Sequence, residues 1–292
     1  MPVDLEELES IVALLDDRDT VVTEAVDRRL ASYGPEAVRS LRNRSEREED
    51  VVKKELIVER AKSLNTQFKL ADLQDFVTRR PGPLSLFEGS WIISSLLDWT
   101  LRRERYEDLF FRCSQEYLAE SSDQRTGVEN IRILNHIFYH RLKFTLYDVQ
   151  LRDPQYALVS DVLKTRRGNP FALAFIYLMI CQLSGIPVEL LCFPGGFVPT
   201  YVENGKILFY INLYRGGELF PQDRLSTFLK ATGLKLDRST FRRRDESAML
   251  TLYLESLLYI HANRGDEALR ALLDRALSIL GPERFLTSDE AE

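Results

Sequence analysis

Few side chains in this sequence could pair a nucleophile with a base. There are three cysteines and three histidines, namely Cys113, Cys181 and Cys192, and His136, His140 and His261. A thiol within hydrogen-bond reach of an imidazole could carry out acyl transfer through a covalent intermediate. No histidine lies within fifty residues of Cys192 on either side. A catalytic pair would therefore depend on contacts between distant parts of the chain.

Metal and cofactor chemistry have weak sequence support. His136 and His140 are one helical turn apart and could chelate a metal, but no carboxylate or further histidine follows at a recognisable spacing. The cysteines are odd in number and at no metal spacing, as is typical of buried free thiols in a reducing compartment. The sequence contains neither G-x-G-x-x-G nor G-x-x-x-x-G-K-S/T, the two glycine-rich patterns of phosphate-binding loops. We predict no metal and no cofactor.

The segment that begins at Asn169 predicts a buried central helix. Asn169 is a good N-cap, and Pro170 suits the first helical position because it has no N–H to leave unpaired. The residues that follow are almost all apolar, and the run stops at Gly185 with Pro187 two residues beyond. A helix without a polar stripe is buried on most sides.

Three strand-like stretches follow this helix, at Val188–Phe193, Phe197–Glu203 and Lys206–Leu213. The last two are joined by Asn204-Gly205, the strongest short-range signal for a two-residue hairpin turn. The sequence therefore predicts a small antiparallel sheet that lies across the central helix.

Four motifs in this order resemble one known family. They are Arg-Arg-Gly-Asn-Pro-Phe-Ala-Leu-Ala at 166 to 174, Ser-Gly-Ile-Pro-Val at 184 to 188, Phe-Pro-Gly-Gly-Phe-Val at 193 to 198, and Tyr-Ile-Asn-Leu-Tyr-Arg-Gly-Gly at 210 to 217. Together they resemble the SirB-type branch of the transglutaminase-like superfamily, over about residues 85 to 225. The resemblance implies a mostly helical α+β fold: a papain-like core with a small antiparallel sheet, flanked by helical-repeat-like segments.

The resemblance also implies positions for a Cys-His-Asp triad. In catalytic members the Cys opens the central helix, where the dipole lowers its pKa, and the His and Asp come from adjoining strands. Carried across, these positions fall on Pro170, Gly196 and Asn212. The SirB-type branch usually has Pro-Gly-His-Phe where this chain has Pro-Gly-Gly-Phe. We therefore expect no catalytic residue here and a retained scaffold.

The groove between these positions is the candidate binding site by analogy. Its candidate residues are Asn169, Pro170, Cys192, Gly195, Gly196 and Asn212. Gly195 and Gly196 would either let a partner's backbone approach closely or only form a tight turn. Strand alternation would point Cys192 either into the groove or away from it.

Three regions follow from the breaks in the pattern. Residues 1–82 are predicted to be a helical, HEAT-like region, ending at Pro81-Gly82-Pro83. Residues 83–235 form the predicted transglutaminase-like domain. Residues 236–292 are predicted to form a helical hairpin similar to a tetratricopeptide hairpin, with a frayed polar tail.

Composition narrows the function further. A net charge of −6 gives no general attraction for nucleic acid. The acidic start and a longest apolar run of about 11 residues predict a cytoplasmic protein with no membrane segment. We expect a protein or peptide partner and no catalysis. The alternative is a cysteine-dependent acyl-transfer or amide-hydrolysing enzyme that uses a displaced thiol such as Cys192.

Overall fold

The computed structural model describes residues 4–78, 83–122, 124–148, 150–193, 196–231 and 242–286. These residues form a mostly helical structure with a small antiparallel sheet, so the predicted fold class is confirmed. The chain divides into two compact units. One contains the residues up to Asp75 together with Ile92–Arg102, and the other contains Phe76–Trp91 and the chain from Arg103 onward. The boundaries predicted after residues 82 and 235 stay predictions.

The helices of the described residues range from seven to 28 residues in length. In chain order they are α1 (Leu5–Ala13), α2 (Thr20–Ser32), α3 (Pro35–Glu46), α4 (Val51–Thr78), α5 (Leu86–Leu97), α6 (Arg103–Leu118), α7 (Gly127–Asn135), α8 (Val159–Thr165), α9 (Pro170–Leu183), α10 (Leu225–Ala231), α11 (Glu246–Asn263) and α12 (Glu267–Leu280). A π-helical turn, His136–Arg141, continues α7. Among the described residues, no helix is both long and apolar enough to cross a bilayer.

The first unit is helical. Aspartates begin its first two helices: Asp4 caps α1 and Asp19 caps α2 by accepting backbone hydrogen bonds. Such caps satisfy N–H groups that have no partner within the helix. Apolar side chains of α1 to α4 share one core, and the buried amide of Asn65 on α4 donates to the Ser95 carbonyl of α5 over 2.8 Å. The described residues of this unit are thus helical and have their own core.

Helix α9 is the centre of the second unit. Every residue from Pro170 to Cys181 is buried, as its uninterrupted apolar sequence predicts. Helices α8 and α11 pack against it. Tyr253 of α11 accepts a hydrogen bond from Val159 N and donates one to the Ala157 carbonyl, at 2.9 and 3.1 Å. These bonds fix α11 to the start of α8.

The antiparallel sheet of this unit has five strands in the order β6-β5-β4-β3-β7. The strands are β3 (Val188–Phe193), β4 (Gly196–Glu203), β5 (Lys206–Asn212), β6 (Glu218–Phe220) and β7 (Arg242–Arg244). The predicted hairpin turn is confirmed, with φ of 49° at Asn204 and 74° at Gly205. The sequence analysis did not predict β6 or β7.

A second, parallel pair joins β1 (Thr145–Leu146) to β2 (Arg167–Gly168). In its register Leu146 lies opposite Gly168. Gly168 is two residues before Pro170, the first residue of α9. A Cβ atom at Gly168 would lie 2.7 Å from a methyl carbon of Val162, so α8 needs glycine there to pack this closely. This pair fixes the chain that enters α9.

Candidate functional site

The N-terminus of α9 is the first part of the candidate site. Asn169 is fully buried, and its Oδ1 accepts a hydrogen bond from Ala172 N at 2.8 Å. Its backbone N donates to the Tyr156 carbonyl over 2.7 Å. The Ala172 bond fixes the orientation of the amide, because only the oxygen can accept. Asn169 Nδ2 has no hydrogen-bond partner among the described residues.

Pro170 is the first residue of α9 and is buried. In this position proline leaves no backbone N–H without a partner. Its ring has no group that can act as a nucleophile. Asn169 and Pro170 together therefore begin α9.

Gly196 begins β4 and lies opposite Phe193 across the hairpin. Gly195 and Pro194, which connect them, lie outside the described residues. A Cβ atom at Gly196 would lie 3.0 Å from Cε2 of Phe193, closer than ordinary contact. A side chain there would require the Phe193 ring to shift by a few tenths of an ångström.

Asn212 ends β5 and is nine-tenths buried. Its Oδ1 accepts from Tyr214 N at 3.1 Å, and its carbonyl accepts from Gly217 N at 3.0 Å. The side chain thus caps the short 3₁₀ turn Leu213–Arg215. Asn212 is the position that the resemblance implies for the Asp of the triad, and its side-chain oxygen is used in this capping bond.

Two of the three implied triad positions lie at one cleft. Pro170 and Asn212 both line it, and Phe197 lies beside Gly196 at its wall. The other lining residues are mostly apolar: Leu146, Leu173, Val198, Pro199, Ile211, Leu213, Tyr214 and Phe228. Its volume is about 10 Å³, close to the minimum for one water molecule. Asn169, Cys192 and Gly196 do not line it.

The direction of Cys192 follows from its strand register. Cys192 lies opposite Phe197, and cross-strand neighbours share one face of a sheet. The ring of Phe197 contacts the ring of Phe171 on α9, with centroids 5.6 Å apart. Cys192 is therefore on the face toward α9. It is 2% exposed and does not line the cleft.

The other two thiols are also buried. Burial raises the pKa of Cys181, in the middle of α9. Cys113 Sγ accepts a hydrogen bond from a guanidinium nitrogen of Arg166 at 2.6 Å. Burial raises the pKa of Cys113, although the charge of Arg166 opposes this shift. Both thiols are thus held in the protonated form, which is a poor nucleophile.

The histidines lie on two separate elements. The rings of His136 and His140 stack in the π-helical turn, with centroids 5.5 Å apart. His261 is at the end of α11, where burial lowers its pKa although Asp266 Oδ2 is 3.6 Å from Nδ1. Within the described ranges, no group of three or more His, Cys, Asp or Glu could hold a metal ion.

Asn135 fixes the loop beside the cleft, and the sequence analysis did not identify it. Its Nδ2 donates to the Gly217 carbonyl over 2.6 Å, and its Oδ1 accepts from the Tyr177 hydroxyl at 2.8 Å. Tyr139, one turn later, donates to the Leu213 carbonyl at 3.2 Å. These bonds tie α7 and α9 to the loop after Asn212. The available signal in the sequence was a polar residue, Asn135, next to the apolar residue Leu134.

Comparison with known proteins identifies a family. The model of the transglutaminase-like superfamily matches residues 104–254, about half of the chain. The matched segment contains α9, strands β1 to β7 and all the cleft residues.

Three curated proteins are similar to parts of this chain. A UPF0162 protein of Xylella fastidiosa strain 9a5c is 24% identical over 172 residues, which are 53% of this chain and 60% of that protein. A UPF0162 protein of strain Temecula1 is 27% identical over 109 residues, 35% of this chain and 38% of that protein. F-box only protein 21 of Mus musculus is 24% identical over 116 residues, 39% of this chain and 18% of that protein. The chain therefore spans less than two thirds of each relative.

Proposed function

Because this chain belongs to the transglutaminase-like superfamily, we propose that it is a non-catalytic member, of the SirB-type branch, that recognises a protein or peptide segment. The observation that carries the proposal is the chemistry of the cleft. Among the described residues that line it, none carries a thiol, an imidazole or a carboxylate. Cysteine-dependent acyl transfer needs a nucleophile and a base within hydrogen-bond reach of each other.

The residues at the implied triad positions support this proposal through their contacts. Pro170 begins α9, and Asn212 caps the 3₁₀ turn with its side-chain oxygen. A side chain at position 196 would press on Phe193. The cleft is also too small for the atoms of a substrate, at about 10 Å³. The scaffold of an enzyme is kept, and its reacting groups are replaced by structural ones.

The proposed recognition surface is the aromatic rim of the cleft. Tyr214 lines the cleft and is 50% exposed, and Tyr147, next to the lining residue Leu146, is 46% exposed. The Tyr147 ring packs on Tyr156 at 4.4 Å between centroids, and the guanidinium of Arg167 lies 5.8 Å from it. Rigid aromatic side chains with one apolar face are common anchors in peptide recognition.

A peptide-binding experiment tests this assignment. The full chain is panned against a phage-displayed library of random 12-residue peptides, and the selected peptide is titrated into wild type, Tyr214→Ala and Tyr259→Ala. Tyr259 is the matched control, since it is also a half-exposed tyrosine, on α11 and outside the cleft lining. We expect Tyr214→Ala to weaken binding by about tenfold or more and Tyr259→Ala to leave it unchanged. Failure to select any peptide, or equal loss in both variants, would show the proposal to be wrong.

An activity assay tests the non-catalytic half. The protein is incubated with a glutamine-containing peptide and a primary amine, and release of ammonia and amine incorporation are followed. We expect neither reaction. Turnover that disappears in Cys192→Ala would establish the enzyme with a displaced thiol instead. We further propose a cytoplasmic location, because an odd number of cysteines, all three of them buried, suits a reducing compartment.

A further inference from the structure

The loop that follows β1 holds Tyr147, a residue of the aromatic rim, and its neighbour Tyr156. Tyr147 N donates to the Gly168 carbonyl at 2.8 Å, and Asn169 N donates to the Tyr156 carbonyl at 2.7 Å. Both tyrosines are therefore attached to the chain that enters α9. Their rings pack on each other, with centroids 4.4 Å apart. The two side chains thus form one fixed aromatic surface beside the cleft.

Backbone strain is concentrated in the same part of the chain. Among the described residues, five residues other than glycine have a positive φ, and four of them lie here. They are Lys143, Asp148, Leu151 and Arg166, with φ between 46° and 63°. Leu151 has no polar side chain that could stabilise this conformation. Strain of this kind persists only where surrounding contacts enforce it, and it is common at sites that hold a ligand.

The acidic residues of this segment are paired with other groups. Between positions 141 and 168 they are Asp148, Asp153 and Asp161. Asp148 Oδ2 accepts from Arg152 N and Asp153 N, at 2.7 and 2.8 Å. Asp153 Oδ1 accepts from Gln155 N at 3.1 Å, and Asp161 Oδ1 is 2.9 Å from Nζ of Lys164. All three carboxylates thus have partners within their own segment.

Arg167 is an exposed residue of β2 next to the aromatic surface. Its guanidinium carbon is 5.8 Å from the centroid of the Tyr147 ring. No carboxylate of the described residues lies within ion-pair distance of it. A guanidinium that packs on an aromatic ring keeps the N–H groups of its edge free, and these can contact both oxygens of a carboxylate. Arg167 thus carries a charge that the described part of its own chain does not pair.

From this arrangement we infer that the partner segment carries an acidic residue, whose carboxylate pairs with the guanidinium of Arg167 beside the Tyr147 ring. This step rests on the proposed function, because it names the chemistry of the segment that the aromatic rim would hold. The rings bind the apolar part of the segment, and Arg167 selects its charge. A basic residue at the same position is repelled by Arg167.

Peptide selection gives the first test. The full chain is panned against the same phage-displayed library, and the selected sequences are compared with unselected ones. We expect Asp or Glu to be enriched at one position of the selected peptides. Peptides selected without this enrichment would overturn the inference and leave the proposed function standing. Failure to select any peptide would overturn both.

A double-mutant cycle then assigns the acidic position to Arg167. The tightest selected peptide, with blocked ends, and its analogue with Asn or Gln at the acidic position are titrated into wild type, Arg167→Gln and Arg152→Gln. Arg152 is the matched control, because it is an exposed arginine of the same loop. In Arg167→Gln we expect the acidic peptide to bind at least about fivefold more weakly and the analogue to bind as it does to wild type. Arg152→Gln should bind both peptides as wild type does.

Three further results of this cycle would overturn the inference. Equal affinity of wild type for the two peptides would mean that the charge is not recognised. An equal loss of both peptides in Arg167→Gln would mean that the arginine acts only through its packing on Tyr147. A similar loss of the acidic peptide in Arg152→Gln would mean that only the net charge of the protein matters. The preference of wild type for the acidic peptide should also decrease as salt is added, because the pair is exposed.

Discussion

The amide of Asn135 on α7 and the backbone of Gly217 in the loop after β5 are in direct contact. Asn135 Nδ2 donates to the Gly217 carbonyl over 2.6 Å, and a Cβ atom at 217 would lie 2.2 Å from Asn135 Oδ1. Gly217 also has a φ of 77°, a conformation that side chains disfavour. The second glycine of the motif at 210 to 217 is thus explained by packing, beside the cleft and not within it.

Substitution of Gly217 should therefore destabilise the protein more than substitution of its neighbour. Gly216 has a φ of 61° but no atom within 4 Å of an added Cβ, so it controls for backbone strain alone. We expect Gly216→Ala to cost about 1 to 2 kcal/mol in free energy of unfolding and Gly217→Ala at least about 2 kcal/mol more. The midpoints of urea denaturation measure both. Equal midpoints would mean that α7 moves away from the loop at little cost.

The native thiols should be uniformly inert. Cys113, Cys181 and Cys192 are 0%, 1% and 2% exposed, and burial raises the pKa of the first two. We expect a chromogenic disulfide reagent at pH 7 to label none of them within minutes, and all three after addition of urea. The reaction of a buried thiol then waits for an opening of the structure. A single thiol that reacts rapidly in the native protein, assigned by Cys→Ser variants, would instead support the displaced-nucleophile enzyme.

Placing a cysteine at the start of α9 should not create catalysis. In Pro170→Cys the thiol would lie at a helix N-terminus, which lowers its pKa, but Gly196 supplies no base and Asn212 Oδ1 is occupied by Tyr214 N. We expect no amide hydrolysis or amine incorporation above the wild-type level. Turnover in this variant would mean that a base from elsewhere reaches position 170. The wild-type protein would then lack only the cysteine, and the proposal that it also lacks a base would be wrong.

Local signals in the sequence were sufficient for much of the core. The cap at Asn169, the proline after it and the Asn204-Gly205 turn each act through the backbone of adjacent residues, and the structure confirms them. The apolar run of α9 likewise predicted its burial. The cap and the turn depend on few contacts outside their own segment, and the burial of α9 could be predicted because its sequence has no polar face.

The features that the sequence did not reveal depend on contacts between distant segments. The bond from Asn135 to Gly217 spans 82 residues, and neither residue type alone indicates it. Strand alternation shows that successive side chains point to opposite faces, but not which face is which. The face on which Cys192 lies became known only from its pairing with Phe197. Strand β7 is Arg242–Arg244, and a run of three charges has no apolar alternation to mark it as a strand.

Glu255 should give the protein an unusual pH dependence. This carboxyl on α11 is 4% exposed and accepts hydrogen bonds from Phe285 N and Leu286 N, each at 3.0 Å. Burial raises its pKa, and the two N–H groups and the charge of Arg284 only partly oppose this shift. The folded protein therefore holds this proton to a higher pH than the unfolded chain does.

It follows that this group lowers the free energy of unfolding as the pH rises through the window between its unfolded and folded pKa. We expect the difference in free energy of unfolding between wild type and Glu255→Gln to decrease through that window and to stay constant above it. Urea denaturation at a series of pH values, followed by a probe in the second unit, measures this difference. An increase with pH would mean that the hydrogen bonds from the 285–286 segment outweigh burial.

Glu7 should show the opposite sign. Hydrogen bonds from Arg29, with Nε at 2.5 Å from Oε1, and from the Tyr33 hydroxyl lower the pKa of Glu7 to about 2. The unfolded chain therefore binds this proton first as the pH falls, so the contribution of Glu7 is complete above the unfolded pKa of 4.5 and is lost toward pH 2. We expect the difference between wild type and Glu7→Gln, followed by a probe in the first unit, to shrink as the pH falls. A difference that does not change with pH would mean that the contacts of Glu7 with Arg29 and Tyr33 do not persist in solution.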